Sequence, residues 1–386
     1  MAGSRAPIRV VAVALALARW GFARRAPVAP RRIIVLHHLL LGDTLMLTAL
    51  LAKLRERFAE AKIVLMLPSA FAPLYVGRPY GVVVHVFDPR DIATLWPLLR
   101  VPRFDLALLP ADNRWSWLAR AIGARWIVGF ADDRPVHKNW PVDERVPYAS
   151  LPAAFCDTAA SLVSGAAPAP YRTSAWPAPP SQNAPALGGT YAVLHVGASS
   201  PLKLWEPARW RALAAWLKVR GLDVVWSAGP AEGAIIDAID ASQERRKFAG
   251  TLSLSALWHL LGGARLLVCP DTGIAHLGRI VGVPTVALFG PGSAVICGAG
   301  EFFASSAYRA VTVDPFPCRD QSIQFFRDVP WVRRCERLFG EPPTRCSRAR
   351  CMEAINIDEV TAAIEALEVG INTSQRETRM GYKLPR

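Results

Sequence analysis

Asp43 is the first residue whose type and place in the chain could do chemistry. It lies in HHLLLGDTLMLTAL (residues 37–50), directly after the apolar run Ile33–Leu36 and at the head of a helical pattern reaching about Phe58. Gly42 lets the chain turn, and Asp43 or Thr44 could cap the helix by accepting a first-turn N–H. A carboxylate at a strand–helix junction is equally placed to act as general base toward a hydroxyl. A second cluster, HVGASSPLKLW (residues 195–205), also follows an apolar run. Gly197, Ala198, Ser199 and Ser200 let backbone and hydroxyls approach an anion, and Lys203 adds a positive charge unless it is simply solvated. His195 suits a core role better than a ligating one. A third, CPDTGIAHLGRIVGVPTVALFGP (residues 269–291), opens a helix at Asp271-Thr272-Gly273. Free N–H groups make such a helix start an anion site, and His276, one turn on, could reach the same anion. The competing roles are Asp271 as a cap and His276 packed on the sheet. In SAGPAEGAII (residues 227–236), Glu232 could accept hydrogen bonds from a sugar or ribose, or be an ordinary first-turn acid.

These clusters must be positioned by something regular, and the pattern around them is strand alternating with helix, the mark of parallel sheets covered by helices. It occurs twice. Strands are expected near Ile33–Leu36, Ile63–Leu67, Val82–Phe87, Phe104–Leu109 and Trp126–Gly129, then near Tyr191–Val196, Asp223–Ser227, Arg265–Cys269, Pro284–Phe289 and Val311–Val313. The helix after the first strand of the second half has Pro207 in its first turn, Trp210, Leu213, Ala214 and Leu217 on one face, and Gly221 beyond its end. Between the halves, six prolines from Pro168 to Pro185 resist helix and sheet alike. The expected organisation is an extension over 1–32, a Rossmann-like domain over 33–167, a linker over 168–187, a second such domain over 188–351, a closing helix over 352–370 and a tail over 371–386. Ligands of open α/β sheets lie beyond the carboxyl ends of the strands, so the site is expected in the cleft between two facing domains.

A chain of 386 residues with 52% apolar and 20% charged residues fits a globular enzyme rather than a disordered or polytopic membrane protein. Its formal charge of +14 is concentrated in three tracts: residues 1–32 hold seven Arg and no acid, 315–351 eight Arg against four acids, and 371–386 four basic groups against one acid. The remainder is neutral in aggregate, which favours an anionic membrane or acceptor over a uniformly basic nucleic-acid coat. The apolar segment Val10–Ala18 is far shorter than the ~20 residues of a spanning helix. It reads as an interfacial helix anchored by Trp20, Phe22, Arg24 and Arg25, as a helix docked on its own domain, or as an imitation of a secretory signal. Seven cysteines without a CxxC pair argue against a disulfide scaffold. Cys318, Cys335, Cys346 and Cys351 gather in one stretch, leaving a structural zinc site open although the spacings match no standard module.

Taken in order, Gly42-Asp43, Ser199-Ser200-x-x-Lys203-x-Trp205, Gly229-x-x-Glu232 and Asp271-Thr272-Gly273-x-x-His276 resemble glycosyltransferase family 9, the lipopolysaccharide heptosyltransferases, as does the later GVPTVALFGP. The resemblance spans roughly residues 31–365. It implies a GT-B fold, two Rossmann-like domains with the acceptor on the first and the nucleotide-sugar donor on the second. It further implies that Asp43 is the catalytic base, that Ser199, Ser200, Lys203, Asp271, Thr272 and Gly273 hold the donor diphosphate with His276 beside it, and that Glu232 faces the donor's sugar or ribose. The helix Ile357–Val369 would return across the linker. Such an enzyme inverts the anomeric centre without a cofactor or metal ion, and the chain contains no Asp-x-Asp pair. The implied donor is an ADP-sugar, above all ADP-heptose, and the implied acceptor a lipid-linked anionic glycan. The location would be cytoplasmic, peripheral on the inner membrane, with no nucleic-acid partner. His37-His38-Leu39-Leu40-Leu41 stands where family members often carry small or hydroxyl residues, and the Cys- and Arg-rich insertion at 315–351 is longer than a minimal member needs. Transfer of another nucleotide-sugar in surface-glycan assembly, a nucleotide-sugar epimerase of the same fold and a non-catalytic binding module remain as other readings.

Overall fold

A computed structural model describes residues 6–21, 24–240, 245–341 and 345–367. Phe22, the end of the expected closing helix and the basic tail lie outside the described residues. The chain forms two compact units: residues 1–180 with 300–304 and 322–332, and residues 181–299 with 305–321 and 333–386.

The first unit is built on one parallel sheet, in the order β3-β2-β1-β4-β5-β6. Its strands are β1 (Arg32–Leu36), β2 (Lys62–Leu67), β3 (Val83–Val86), β4 (Leu106–Leu109), β5 (Trp126–Phe130) and β6 (Glu144–Val146). Parallel strands are covered on both faces, so β1 and β2 read as unbroken apolar runs, in register from Arg32↔Lys62 to Leu36↔Met66. The helices are α1 (Ala6–Ala18), α2 (Leu41–Met46), α3 (Thr48–Arg57), α4 (Trp96–Arg100), α5 (Ser116–Ala121) and α6 (Phe155–Ala160). The single helix expected after β1 is thus two, broken at Leu47. α1 places Ile8, Ala12 and Ala16, one helical stripe, in the core that also contains Ile34 and Leu118. No helix among the described residues is long and apolar enough to cross a membrane.

The second unit repeats the plan in the order β12-β11-β10-β7-β8-β9. Its strands are β7 (Tyr191–His195), β8 (Asp223–Ala228), β9 (Arg246–Ala249), β10 (Leu266–Pro270), β11 (Thr285–Leu288) and β12 (Tyr308–Val311). Its helices are α7 (Pro207–Val219), α8 (Gly233–Ile239), α9 (Leu254–Gly262) and α10 (Gly273–Val281), followed by α11 (Arg350–Glu353) and helical residues 357–367. Counted within each unit, both sheets have the order 3-2-1-4-5-6, the doubly wound arrangement whose ligand crevice opens between the first and fourth strands. All strands of these two six-stranded sheets pair in parallel, with one short antiparallel ribbon (Ile323–Gln324 with Arg327–Asp328) outside them, so this is an α/β chain with two Rossmann-like sheets.

Besides the divided helix after β1 and the unexpected edge strands β6 and β9, three features differ from the sequence expectation. The first unit runs through most of the Pro-rich stretch, to Pro180, because Trp176 is buried there and donates its indole N–H to the Leu74 carbonyl at 3.0 Å. Residues 322–332, expected within the second domain, belong to the first unit: the buried Arg327 donates to the carbonyls of Ala111 at 2.8 Å and Ala131 at 2.6 Å. The last strand begins three residues early, since Tyr308 is the partner of Thr285 in the ladder.

Candidate donor site

In the second unit the crevice between β7 and β10 is where the topology directs a ligand, and the loops after these two strands carry most of the expected site residues. After β10, Thr272 caps α10, its hydroxyl accepting from the Ile274 N–H at 3.3 Å. The cap is therefore Thr272 and not Asp271. Gly273 is the first residue of the helix, so its N–H has no acceptor within it, and the positive end of the helix dipole lies there. Apolar Ile274, Ala275, Leu277 and Ile280 bury the rest of the helix and fix its start.

Asp271 is instead the anchor of Lys203. The Lys203 ammonium donates to the Asp271 carbonyl at 2.8 Å and to its Oδ2 at 2.9 Å. This fixes the cation beside the helix start and shows that Lys203 is not an ordinary solvated lysine. The short turn Pro201–Lys203 that delivers it is closed by Ser200, whose hydroxyl accepts from the Leu202 N–H at 3.3 Å. Ser199, just before, is exposed. Gly292 makes room for this pair, since a Cβ there would come within 2.2 Å of Asp271 Oδ2.

Glu232 braces the loop after β7. Its carboxylate accepts from the Ala198 N–H at 3.0 Å and the Gly229 N–H at 2.6 Å, tying the β7 and β8 loops together. Gly197 is required by this brace: a Cβ there would sit 1.8 Å from Glu232 Oε2. His195 is a core residue, with Nδ1 on the Ser227 hydroxyl at 3.1 Å.

His276 is buried on α10, and the Arg279 guanidinium contacts its Nδ1. A guanidinium can only donate, so Nδ1 is the acceptor and the proton of the neutral ring is on Nε2. Burial first, then the charges of Arg279 and Lys203, hold the His276 pKa well below the ordinary value. Arg279 also donates to the carbonyls of Gly298 at 2.5 Å and Cys297 at 3.1 Å. Sequence reasoning missed Arg279 and Gly292. The spacing of Arg279 three residues after His276 on one helix face was the available signal for the former.

Among the described residues, one group of metal-ligating side chains lies close enough to share an ion: Asp271, His276 and Cys297, within 4.8 Å of one another. Two of these already face cations, Lys203 and Arg279, so the electrostatics favour an anion. Cys318, Cys335, Cys346 and Cys351 do not come together closely enough to form such a group.

Asp43 belongs to the first unit, half-buried in the first turn of α2 beyond the carboxyl end of β1. Neither Asp43 nor Thr44 caps that helix, since the Thr44 hydroxyl donates back to the Leu40 carbonyl at 2.9 Å. Behind it, His37 is buried with neither ring nitrogen hydrogen-bonded, and burial with the neighbouring His38 brings its pKa down to about 3. His38 packs edge-on against Phe87 and Trp115.

The profile of glycosyltransferase family 9 (heptosyltransferase) matches residues 92–300, over half of the chain. The chain belongs to glycosyltransferase family 9. A lipopolysaccharide heptosyltransferase 1 of Pseudomonas aeruginosa is 31% identical over 182 residues, 47% of this chain and 48% of that protein. The aligned part of this family 9 chain thus spans about half the length of that relative. Among solved structures, the ADP-heptose lipopolysaccharide heptosyltransferase II of Escherichia coli superposes with a TM-score of 0.63 at 17% identity, covering 88% of this chain and 99% of the other. The Escherichia coli heptosyltransferase WaaC with ADP gives a TM-score of 0.60 at 17% identity, covering 72% and 92%. These likenesses identify the fold as that of the GT-B heptosyltransferases.

Proposed function

We propose that this family 9 glycosyltransferase moves a heptose from ADP-heptose onto a lipid-linked, anionic lipopolysaccharide core, with inversion and without a metal ion. The observation that carries the reading is the pairing of Lys203 with the start of α10 at the crevice between β7 and β10. A cation, an unsatisfied helix N–H and a neutral Nε2–H donor from His276 suit the diphosphate of a nucleotide-sugar and its charge on departure. The relative solved with ADP and those named for heptose transfer support the choice of donor.

In this scheme Lys203, Ser199, Ser200, Thr272 and Gly273 bind the diphosphate, and Asp271 orients Lys203. Glu232 holds the loop that carries the serines, keeping a free lone pair on each oxygen for a donor hydroxyl. Asp43 takes the proton of the acceptor hydroxyl as it attacks the anomeric carbon, and the C–O bond to the diphosphate breaks on the opposite face. ADP leaves with the electron pair, its charge offset by Lys203 and the helix dipole. The site of action is the cytoplasmic face of the inner membrane, a placement supported by the arginine-rich start of the chain. Incubation with ADP-heptose and extracted core lipid tests the reading: heptose on the lipid supports it. Heptose released only into solution would assign the chain to hydrolysis or epimerisation, and turnover with UDP- or GDP-sugars alone would replace the donor.

A further inference from the structure

At the amino-terminal edge of the first sheet, opposite the edge that carries Asp43, the loops entering β4 and β5 and the segment leaving α1 enclose a cavity of about 430 Å³. Its walls hold six arginines, Arg19, Arg24, Arg25, Arg103, Arg120 and Arg125. Carboxylates offset only part of that charge. Asp143 is shared by Arg120 at 2.6 Å and Arg24 at 3.2 Å, while Asp105 lies 3.6 Å from Arg125. Six guanidinium groups lining one cavity crowd like charges, which is unfavourable unless an anion joins them. The cavity is also closely built. Gly123, at φ +82°, forms part of its wall, and a Cβ there would lie 3.1 Å from Arg103 Cγ and 3.3 Å from Arg19 Nη1.

α1 leads directly into this cavity. Its Ile8, Ala12 and Ala16 face the core, while Val10, Val13 and Leu17 are exposed on the other side, and Trp20 continues that stripe just past the helix end. The Arg24 guanidinium lies over the Trp20 ring at 4.5 Å. An apolar stripe ending in an aromatic ring and a guanidinium pocket has the chemistry of a helix lying in a bilayer interface.

We infer that the arginine cavity receives the phosphate of an anionic phospholipid headgroup while the stripe from Val10 to Trp20 seats in the acyl boundary. The inference rests on the membrane location proposed above and gives it an address on the first unit. The phosphate would be held by Arg25, Arg103 and Arg125 at the mouth, with Arg24 and Arg120 kept in place by Asp143.

The test is co-sedimentation of the full chain with vesicles of phosphatidylglycerol and phosphatidylcholine in equal parts, against phosphatidylcholine alone. Binding to the first and not the second is expected. The double variant Arg25→Gln/Arg103→Gln should lose roughly twenty-five-fold in partitioning, about fivefold for each arginine near an anionic surface. Leu17→Ser should weaken binding to the same vesicles, with all variants melting as the parent does. Arg211→Gln/Arg309→Gln, which removes two exposed arginines from the second unit, should leave partitioning unchanged. An equal loss in that control would show a response to net charge and overturn the cavity assignment. Saturation by inorganic phosphate or glycerol phosphate without vesicle binding would make it a soluble-phosphate site, and binding of a short oligonucleotide in place of vesicles would give it to nucleic acid. Either result overturns the inference. No sugar donor or acceptor enters the assay, so its outcome is separate from that of the transfer reaction.

Discussion

Replacing Lys203 by Met separates two roles that the structure gives one ammonium group. In the absence of donor it neutralises the Asp271 carboxylate, a residue only 6% exposed, through a 2.9 Å contact to Oδ2. Removing one partner of a fully buried pair costs about 3–5 kcal/mol. Because the lysine side chain is 25% exposed, solvent screening reduces the expected cost here to about 1–2 kcal/mol. In the donor complex the same group would give a charge-assisted hydrogen bond to the diphosphate, worth about 1.5–3 kcal/mol, or roughly ten- to a hundredfold in Kd. Titration calorimetry with ADP and thermal melts read the two effects independently. Lys203→Met should lower both affinity and Tm. Lys203→Met/Asp271→Asn should recover Tm by removing the stranded charge and regain some ADP affinity over the single variant, yet stay well below the parent in ADP binding. Asp271→Asn alone should bind ADP at least as tightly as the parent, since a carboxylate near the diphosphate is lost. An ADP affinity restored to that of the parent in the double variant would leave Lys203 a purely structural residue.

Asp43→Asn should lower kcat roughly 10²–10⁴-fold with ADP affinity unchanged, as loss of a general base requires, read by transfer assay and calorimetry. Burial holds His195 down to about 4 while the unfolded chain titrates near 6.5, so acid loads the unfolded state first. Its contribution is present in full above about pH 6.5 and declines toward pH 4, with about 2 kcal/mol lost by pH 5; His195→Asn should flatten that part of the denaturant-stability profile. Gly197→Ala should displace the Glu232 carboxylate from its two backbone N–H groups, costing about 1–3 kcal/mol in denaturant unfolding. The same variant should weaken ADP binding, whereas Gly188→Ala, where a Cβ meets nothing, should change neither.

The interior strands were legible because parallel strands covered on both faces leave unbroken runs such as RIIVL and YAVLH. The edge strands β6 and β9, with Glu144 and Arg145 or Arg246 and Lys247, carry no such run, and only their pairing with β5 and β8 makes them strands. The loop–helix junctions were legible by position, but the partner of each side chain was not. Asp271 and Thr272 are both acceptable caps, and the choice is made by Lys203, 68 residues away along the chain. Glu232 could have faced a ligand or a backbone, and the absence of a side chain at Gly197 lets it reach the Ala198 N–H. Residues 322–332 were misassigned because the carbonyls that receive Arg327 lie far away in sequence, beyond any local pattern.

A crystal structure of the chain grown with ADP shows where the nucleotide diphosphate sits. Phosphate oxygens are expected within hydrogen-bond reach of the Lys203 ammonium and the Gly273 N–H, with the His276 Nε2 side facing the same group. ADP bound on the first unit, or on the second away from the β7–β10 crevice, would contradict that placement.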